Sequence, residues 1–166
     1  MKTGGEESKT AVFFDTNLLI LYIVGLVDRS IVVQKKHKKI DQFDVDLFDL
    51  LKDIASDSDV IFVTPHVLTE TSNLLSFHAD PEKSRLMNFF AQMLREGYFV
   101  EVYEPSIHYI ENSINNFSFA RLGLTDCAIL ELIAQNVTLF TEDLALYIEA
   151  SMKGIKAENI NHWLNY

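Results

Sequence analysis

Four carboxylates stand out by where they fall in the chain. Asp15 closes the apolar run Ala11-Val12-Phe13-Phe14, and Asp143 comes just after Val137-Thr138-Leu139-Phe140. Glu70 lies two turns into the helical segment that follows Val60-Ile61-Phe62-Val63, and Asp126 lies in the first turn of a segment opening at Thr125. In open α/β sheets, ligands bind beyond the carboxyl ends of the strands, where the strand order reverses. If the first and fourth strands are neighbours at that point, Asp15 and Asp143 face each other across the crevice and the two helical carboxylates close the ring. Carboxylates gathered in this way raise one another's pKa. A divalent cation relieves the repulsion, and Mg²⁺ suits a few carboxylates, several waters and a substrate phosphate. Such an ion activates water and stabilises a leaving oxygen in phosphodiester hydrolysis.

The elements that must position these residues are readable from periodicity. Short apolar runs at 11–14, 60–63, 98–103 and 137–140 predict four strands, and a weak fifth is expected around 155–157. Runs that are apolar on both faces suit parallel strands covered by helices on both sides. Thr64-Pro65 predicts a helix to about Ser76. Asp80-Pro81 repeats that signal, and Gly97 closes that helix. Thr125 opens a helix to about Gln135, and Glu142 opens a last one that Gly154 ends. Phe43, Leu47, Leu50, Leu51 and Ile54 form one helical face over 43–56. Alternating strand and helix implies right-handed crossovers and a three-layer α/β/α sandwich around a parallel sheet of four to five strands. Residues 1–10 read as a short mobile tail and 11–166 as one domain.

In this arrangement the chain resembles the PIN domain family. The resemblance rests on Asp15-Thr16-Asn17 after a strand, a helical Glu70, Thr125-Asp126, and Thr141-Glu142-Asp143 after a strand, in that order. It covers nearly the whole chain from about Ala11. Each motif alone is common; the set, in order and at strand ends, is specific. The resemblance implies a PIN-like parallel sandwich and metal-dependent cleavage of RNA, with Mg or Mn as cofactor. It implies Asp15, Glu70, Asp126 and Asp143 as metal ligands and catalytic residues. Thr141 would position the loop or a water, and Thr16, Asn17 and Thr125 would support. The segment from about 27 to 42 is longer than in compact members of the family. The resemblance also implies a homodimer, and leaves open an antitoxin partner or an inactive RNA- or protein-binding scaffold.

Each carboxylate has a plainer reading as well. Asp-Thr-Asn suits a turn or a helix cap. Glu70 lies at the edge of the face formed by Val67, Leu68, Thr71, Leu74 and Leu75. An acid in a first helical turn, such as Asp126, is favourable by about 0.3–1 kcal/mol for dipole reasons alone. Asp143 shares that reading, and Glu142 is its rival for the crevice. Glu131 reads as a surface residue.

The basic run Lys35-Lys36-His37-Lys38-Lys39 is the one cationic cluster. Lys35, Lys36, Lys38 and Lys39 are candidates for contact with nucleic-acid phosphates. The competing reading is a solvated loop, paired with the seven aspartates between 41 and 59.

Composition excludes much else. The chain has 166 residues, 12 of them Phe, and a formal net charge of −10. That is a chain with a core rather than a disordered one, and its acidity opposes non-specific nucleic-acid binding. The single Cys127 excludes a disulfide scaffold and reads as a small buried residue. The longest apolar run, Leu18–Val27, is shorter than the roughly 18–20 residues a membrane span needs. Asp15-Thr16-Asn17 before it do not resemble a signal peptide, and a cytoplasmic, membrane-free protein is expected. His37, His66, His78, His108 and His162 show no ligand spacing, so zinc is not expected. No Gly-rich phosphate loop points to ATP or NAD. Trp163 and Tyr166 read as anchors of the C-terminal end. A dehalogenase-like phosphatase would carry a second Asp where Asn17 stands, and a receiver domain would carry a lysine after the last full strand; neither is present.

Overall fold

The computed structural model describes residues 10–115, 118–133 and 136–163. Five parallel strands form one sheet in the order β3-β2-β1-β4-β5. They are β1 (Ala11–Phe14), β2 (Val60–Val63), β3 (Phe99–Glu101), β4 (Val137–Thr141) and β5 (Ala157–Asn159). Among the described residues eight α-helices flank it as a three-layer α/β/α sandwich: α1 (Thr16–Val27), α2 (Arg29–Val33), α3 (Val45–Ser56), α4 (Pro65–Leu75), α5 (Glu82–Arg95), α6 (Ser106–Asn115), α7 (Ser118–Leu132) and α8 (Leu144–Met152). The strand order reverses between β1 and β4, which pair from Ala11↔Val137 to Phe14↔Phe140. The carboxyl ends of these two strands therefore form the crevice that such sheets offer to ligands.

The first helix is the hub. Leu18 through Val24 are all buried, most of them completely. A helix apolar all round belongs inside a fold, and α1 packs against α2, α3, α4 and α5. Its contact with α3 is tight at Gly25, where an added Cβ would stand 2.2 Å from the Phe48 ring. The apolar run that could be mistaken for a membrane segment is thus the core. No described helix is long and apolar enough to cross a membrane.

Several boundaries differ from the sequence expectation. The third strand keeps only Phe99–Glu101, and the fifth starts at Ala157 rather than 155. Thr10, read as part of the tail, is anchored: its amide donates to Asp59 Oδ2 at 2.8 Å and its carbonyl accepts the Asp59 amide at 2.9 Å. The rest of the expected tail, residues 1–9, lies outside the described residues, as do Gln135 and Tyr166. Trp163 sits edge-on against Phe140 at 6.0 Å, and Glu142 stands two residues ahead of the last helix, just before its cap Asp143, rather than opening it. Pro81 is the capping residue of α5, and the side chain of Asp80 accepts from the Ser84 amide and hydroxyl.

One backbone feature bears on the crevice. α7 is broken at Gly123, which has φ 80 and ψ −178. The helix restarts there, so Thr125 and Asp126 come at its beginning, as the sequence predicts. That backbone region is essentially closed to residues with a Cβ, although nothing lies within 4 Å of where one would stand. Gly123→Ala is therefore expected to cost about 1–3 kcal/mol through the backbone alone, read by urea denaturation. An unchanged midpoint would contradict this account.

Candidate metal centre

Asp15 follows β1 and caps α1. Its Oδ1 accepts the Leu18 amide at 2.9 Å, which satisfies one of the orphan donors of the helix. Its Oδ2 accepts the Thr141 hydroxyl at 2.5 Å and the Glu142 amide at 3.1 Å. Its own amide donates to the Phe140 carbonyl at 3.1 Å, which carries the ladder one residue past the strand. The carboxylate is only 6% exposed. Burial pushes its pKa up to about 6, and the nearby Glu142 charge adds to this, against the opposing hydrogen bonds from Thr141 and the two amides. The cap reading of Asp15 is thus correct, and it coexists with a place at the switch point.

Thr141, fully buried, is the hinge between the two strand ends. Its hydroxyl donates to Asp15 and accepts the Asp143 amide at 2.9 Å. Asp143 in turn caps α8, its Oδ1 accepting the amides of Ala145 and Leu146 at 2.6 and 3.0 Å. The Glu142 carbonyl is held from the far side by the amide groups of Asn161 at 2.9 Å and Asn159 at 3.4 Å. These asparagines carry no motif in the sequence.

The two residues beside Asp15 each reach another acid. The Thr16 hydroxyl donates to Glu70 Oε2 at 3.0 Å, and Asn17 Nδ2 donates to Glu142 Oε1 at 2.6 Å. Glu142 is half-buried, and burial raises its carboxyl pKa, with Asn17 and Gln42 opposing. Glu142 turns toward Asn17, while Asp143 caps α8, and the Asp143 charge acts on both Glu142 and Asp126.

Asp126 carries the most strained charge. Its side chain makes no hydrogen bond among the described residues. Burial pushes its carboxyl up to about 7, and the charges of Asp143, Asp15 and Glu70 each add to that rise. Three acids distant in sequence from one another thus each act on Asp126. The packing of α4 against α7 brings Glu70 and Thr125 to the same open cleft, of about 380 Å³, with Pro65, His66, Thr69 and Asn73.

His66 is a neighbour that spacing alone did not reveal. It stands one turn before Glu70, and its Nε2 lies 3.0 Å from the hydroxyl of Tyr109, which is buried and also bonds Ser106. Its i, i+4 relation to Glu70 was the available signal. Glu131 is mostly covered rather than on the surface, and pairs with Lys153 at 2.5 Å. Cys127 is buried, as expected.

The donor set is chemically suited to a hard cation: carboxylate oxygens only, two of them held well above the usual carboxylate range. As the side chains stand, no three His, Cys, Asp or Glu among the described residues are grouped to hold an ion together. The hydrogen bonds explain this, since Asp15, Glu70 and Asp143 are each turned toward a protein donor. Glu70 and Asp143 are exposed.

A carboxyl raised in the fold stabilises the protein below its unfolded pKa and loses that contribution as pH rises through the folded value. Asp126 goes from 3.8 to about 7, so the metal-free protein is expected to lose stability between those pH values. Asp126→Asn removes the penalty. At about pH 8 without divalent ions the variant is expected to be more stable than wild type, by about 1–3 kcal/mol after allowing for its partial exposure. The difference should shrink toward about pH 4. A variant less stable than wild type at high pH would contradict the reading of the site.

Compared with protein-family models, with curated proteins and with solved structures, the chain gives no match.

Proposed function

We propose that the chain is a Mg²⁺- or Mn²⁺-dependent endoribonuclease of the PIN type. The observation that carries this reading is the convergence of Asp15, Glu70, Asp126 and Asp143, in PIN-like order, at the reversal point of a parallel sheet. A bound divalent cation lowers the pKa of water and neutralises charge on the departing oxygen. Asp15 and Asp126 would hold it from the crevice floor, and Glu70 and Asp143 from the rim.

The other side chains have separable tasks. Thr16 and Thr141 donate to ligand oxygens and fix their direction, as outer partners of metal ligands do. Glu142, kept in place by Asn17, is the acid left over from the ligand set. Its raised pKa suits it to take the proton from the attacking water. The open cleft beside Glu70 has room for a nucleotide, with His66, Asn73 and Thr125 offering hydrogen bonds. The acids of the crevice and the chain's net charge of −10 repel a phosphate, and a cation between them would offset that repulsion.

The test is cleavage of single-stranded RNA with Mn²⁺, Mg²⁺ or a chelator. Wild type should cut only with the metal. Outer partners of a metal site are worth about 10–100-fold. Thr16→Val should therefore slow cleavage by about that factor, and Asp15→Asn or Asp126→Asn should slow it by more than about 100-fold. Circular dichroism checks that each variant keeps its fold. Folded Asp126→Asn cutting as fast as wild type would overturn the assignment.

A further inference from the structure

The basic run lies in the irregular segment after α2, and one of its members is not a surface residue at all. His37 is 1% exposed. Its ring lies 4.7 Å from that of His78, which follows α4. The Lys39 amide donates to His37 Nδ1 at 3.2 Å, so that nitrogen is the acceptor and the ring proton sits on Nε2. Burial first, and His78 second, push the His37 pKa down to about 4, so the ring is neutral near pH 7. Its Nε2–H is then a buried donor, and no acceptor among the described residues stands in hydrogen-bond geometry to it. The Leu74 carbonyl lies near enough to the ring to favour its protonation. His78 Nε2 is buried and unpartnered as well. Orphaned buried polar atoms of this kind are rare and costly.

Both rings line an open cleft of about 450 Å³, and its other walls are Lys36, Lys38, Lys39, Phe77 and Ala79. No acid lines it. Lys35 is engaged with Asp44 at 3.1 Å, whereas Lys36, Lys38 and Lys39 form no ion pair among the described residues. The nearby acids sit to the sides. Asp41 acts on His37, and Asp28 and Glu82 line an adjoining cleft, where Arg85 pairs with Asp28 at 3.7 Å. Phe77 is 70% exposed at the cleft edge, a ring open to stacking. Three ammonium groups oppose a cation between the histidines and favour an anion. From Lys39 to Gln42 the chain spans at most about 11 Å, and Gln42 acts on Glu142 at the crevice.

We propose that this cleft is a phosphate-binding site, formed by Lys36, Lys38, Lys39, the Nε2 donor of His37 and the ring of His78, which grips the backbone of bound RNA beside the carboxylate crevice. The proposal takes its ligand from the RNA reading above, but binding is tested without divalent ions. Failure of cleavage and failure of the cleft are therefore separate results.

The experiment uses the full chain, a short fluorescent single-stranded RNA and a chelator, and reads anisotropy across a salt series. Wild type is compared with the triple variant Lys36→Gln/Lys38→Gln/Lys39→Gln, whose positions are exposed and whose fold is checked by circular dichroism. Three lost contacts on a single strand should reduce the slope of log affinity against log salt by about 2 and weaken binding by at least about tenfold. In parallel, inorganic phosphate is titrated into ¹⁵N-histidine-labelled protein. It should shift the Nε2 signals of His37 and His78 in wild type, and the His37 signal less in His78→Phe. Unchanged RNA affinity and slope in the triple variant would overturn the proposal, even if phosphate alone shifts the histidines, because the cleft would then take only small anions. Histidine signals that respond to Zn²⁺ and not to phosphate would overturn it in favour of a metal pair.

Discussion

The Asp15 carboxylate is the junction on which the rest of the crevice depends. One oxygen caps the central helix, and the other receives the Thr141 hydroxyl and the Glu142 amide. A single buried side chain thus ties the β1–α1 turn to the β4–α8 turn at the point where the sheet reverses. The geometry of the other acids follows from this tie. Thr16 and Asn17, fixed at the start of α1, reach out to Glu70 and Glu142, while Thr141 sets the Asp143 amide. Without Asp15 both turns would lose a buried acceptor, and a buried donor left unpaired costs about 1–3 kcal/mol.

The same junction creates an electrostatic conflict. An acid was placed where burial disfavours its charge, and other acids were gathered around it. Strongly shifted carboxyls of this kind cluster at functional sites. Hydrogen bonds from backbone amides and hydroxyls offset the conflict at Asp15, but Asp126 has no such help. In the metal reading the unrelieved repulsion becomes binding energy for a cation, and the crevice alternates between a protonated and a metal-bound state. In the proposed reading the lysine cleft complements the crevice, since it would give an acidic chain a local positive surface for a polyanion.

Much of this was legible in the chain. The apolar runs at 11–14, 60–63 and 137–140 became strands because they are apolar on both faces, and Thr64 became a cap with Pro65 behind it. Asp15, Asp126 and Asp143 could be placed because strand ends and helix starts are local signals. What local signals do not carry is which remote side chains meet. The sequence reading set Glu142 against Asp143, although the turn sends their side chains in different directions. The asparagines at 159 and 161 and the His66–Tyr109 contact depend on packing between distant elements. The basic run looked like a uniform charged loop because spacing does not show that His37 turns inward to meet His78. Lys35 did pair with one of the following aspartates, but its neighbours did not.

The central claim is that protons and a divalent cation compete for the crevice. Calorimetric titration of Mn²⁺ at about pH 6.5, repeated in buffers of different ionisation enthalpy, counts the protons released on binding. The account predicts saturable binding with a substantial fraction of a proton released, and neither binding nor release in Asp15→Asn/Asp126→Asn. Binding without proton release, or no binding to the wild-type chain, would contradict it.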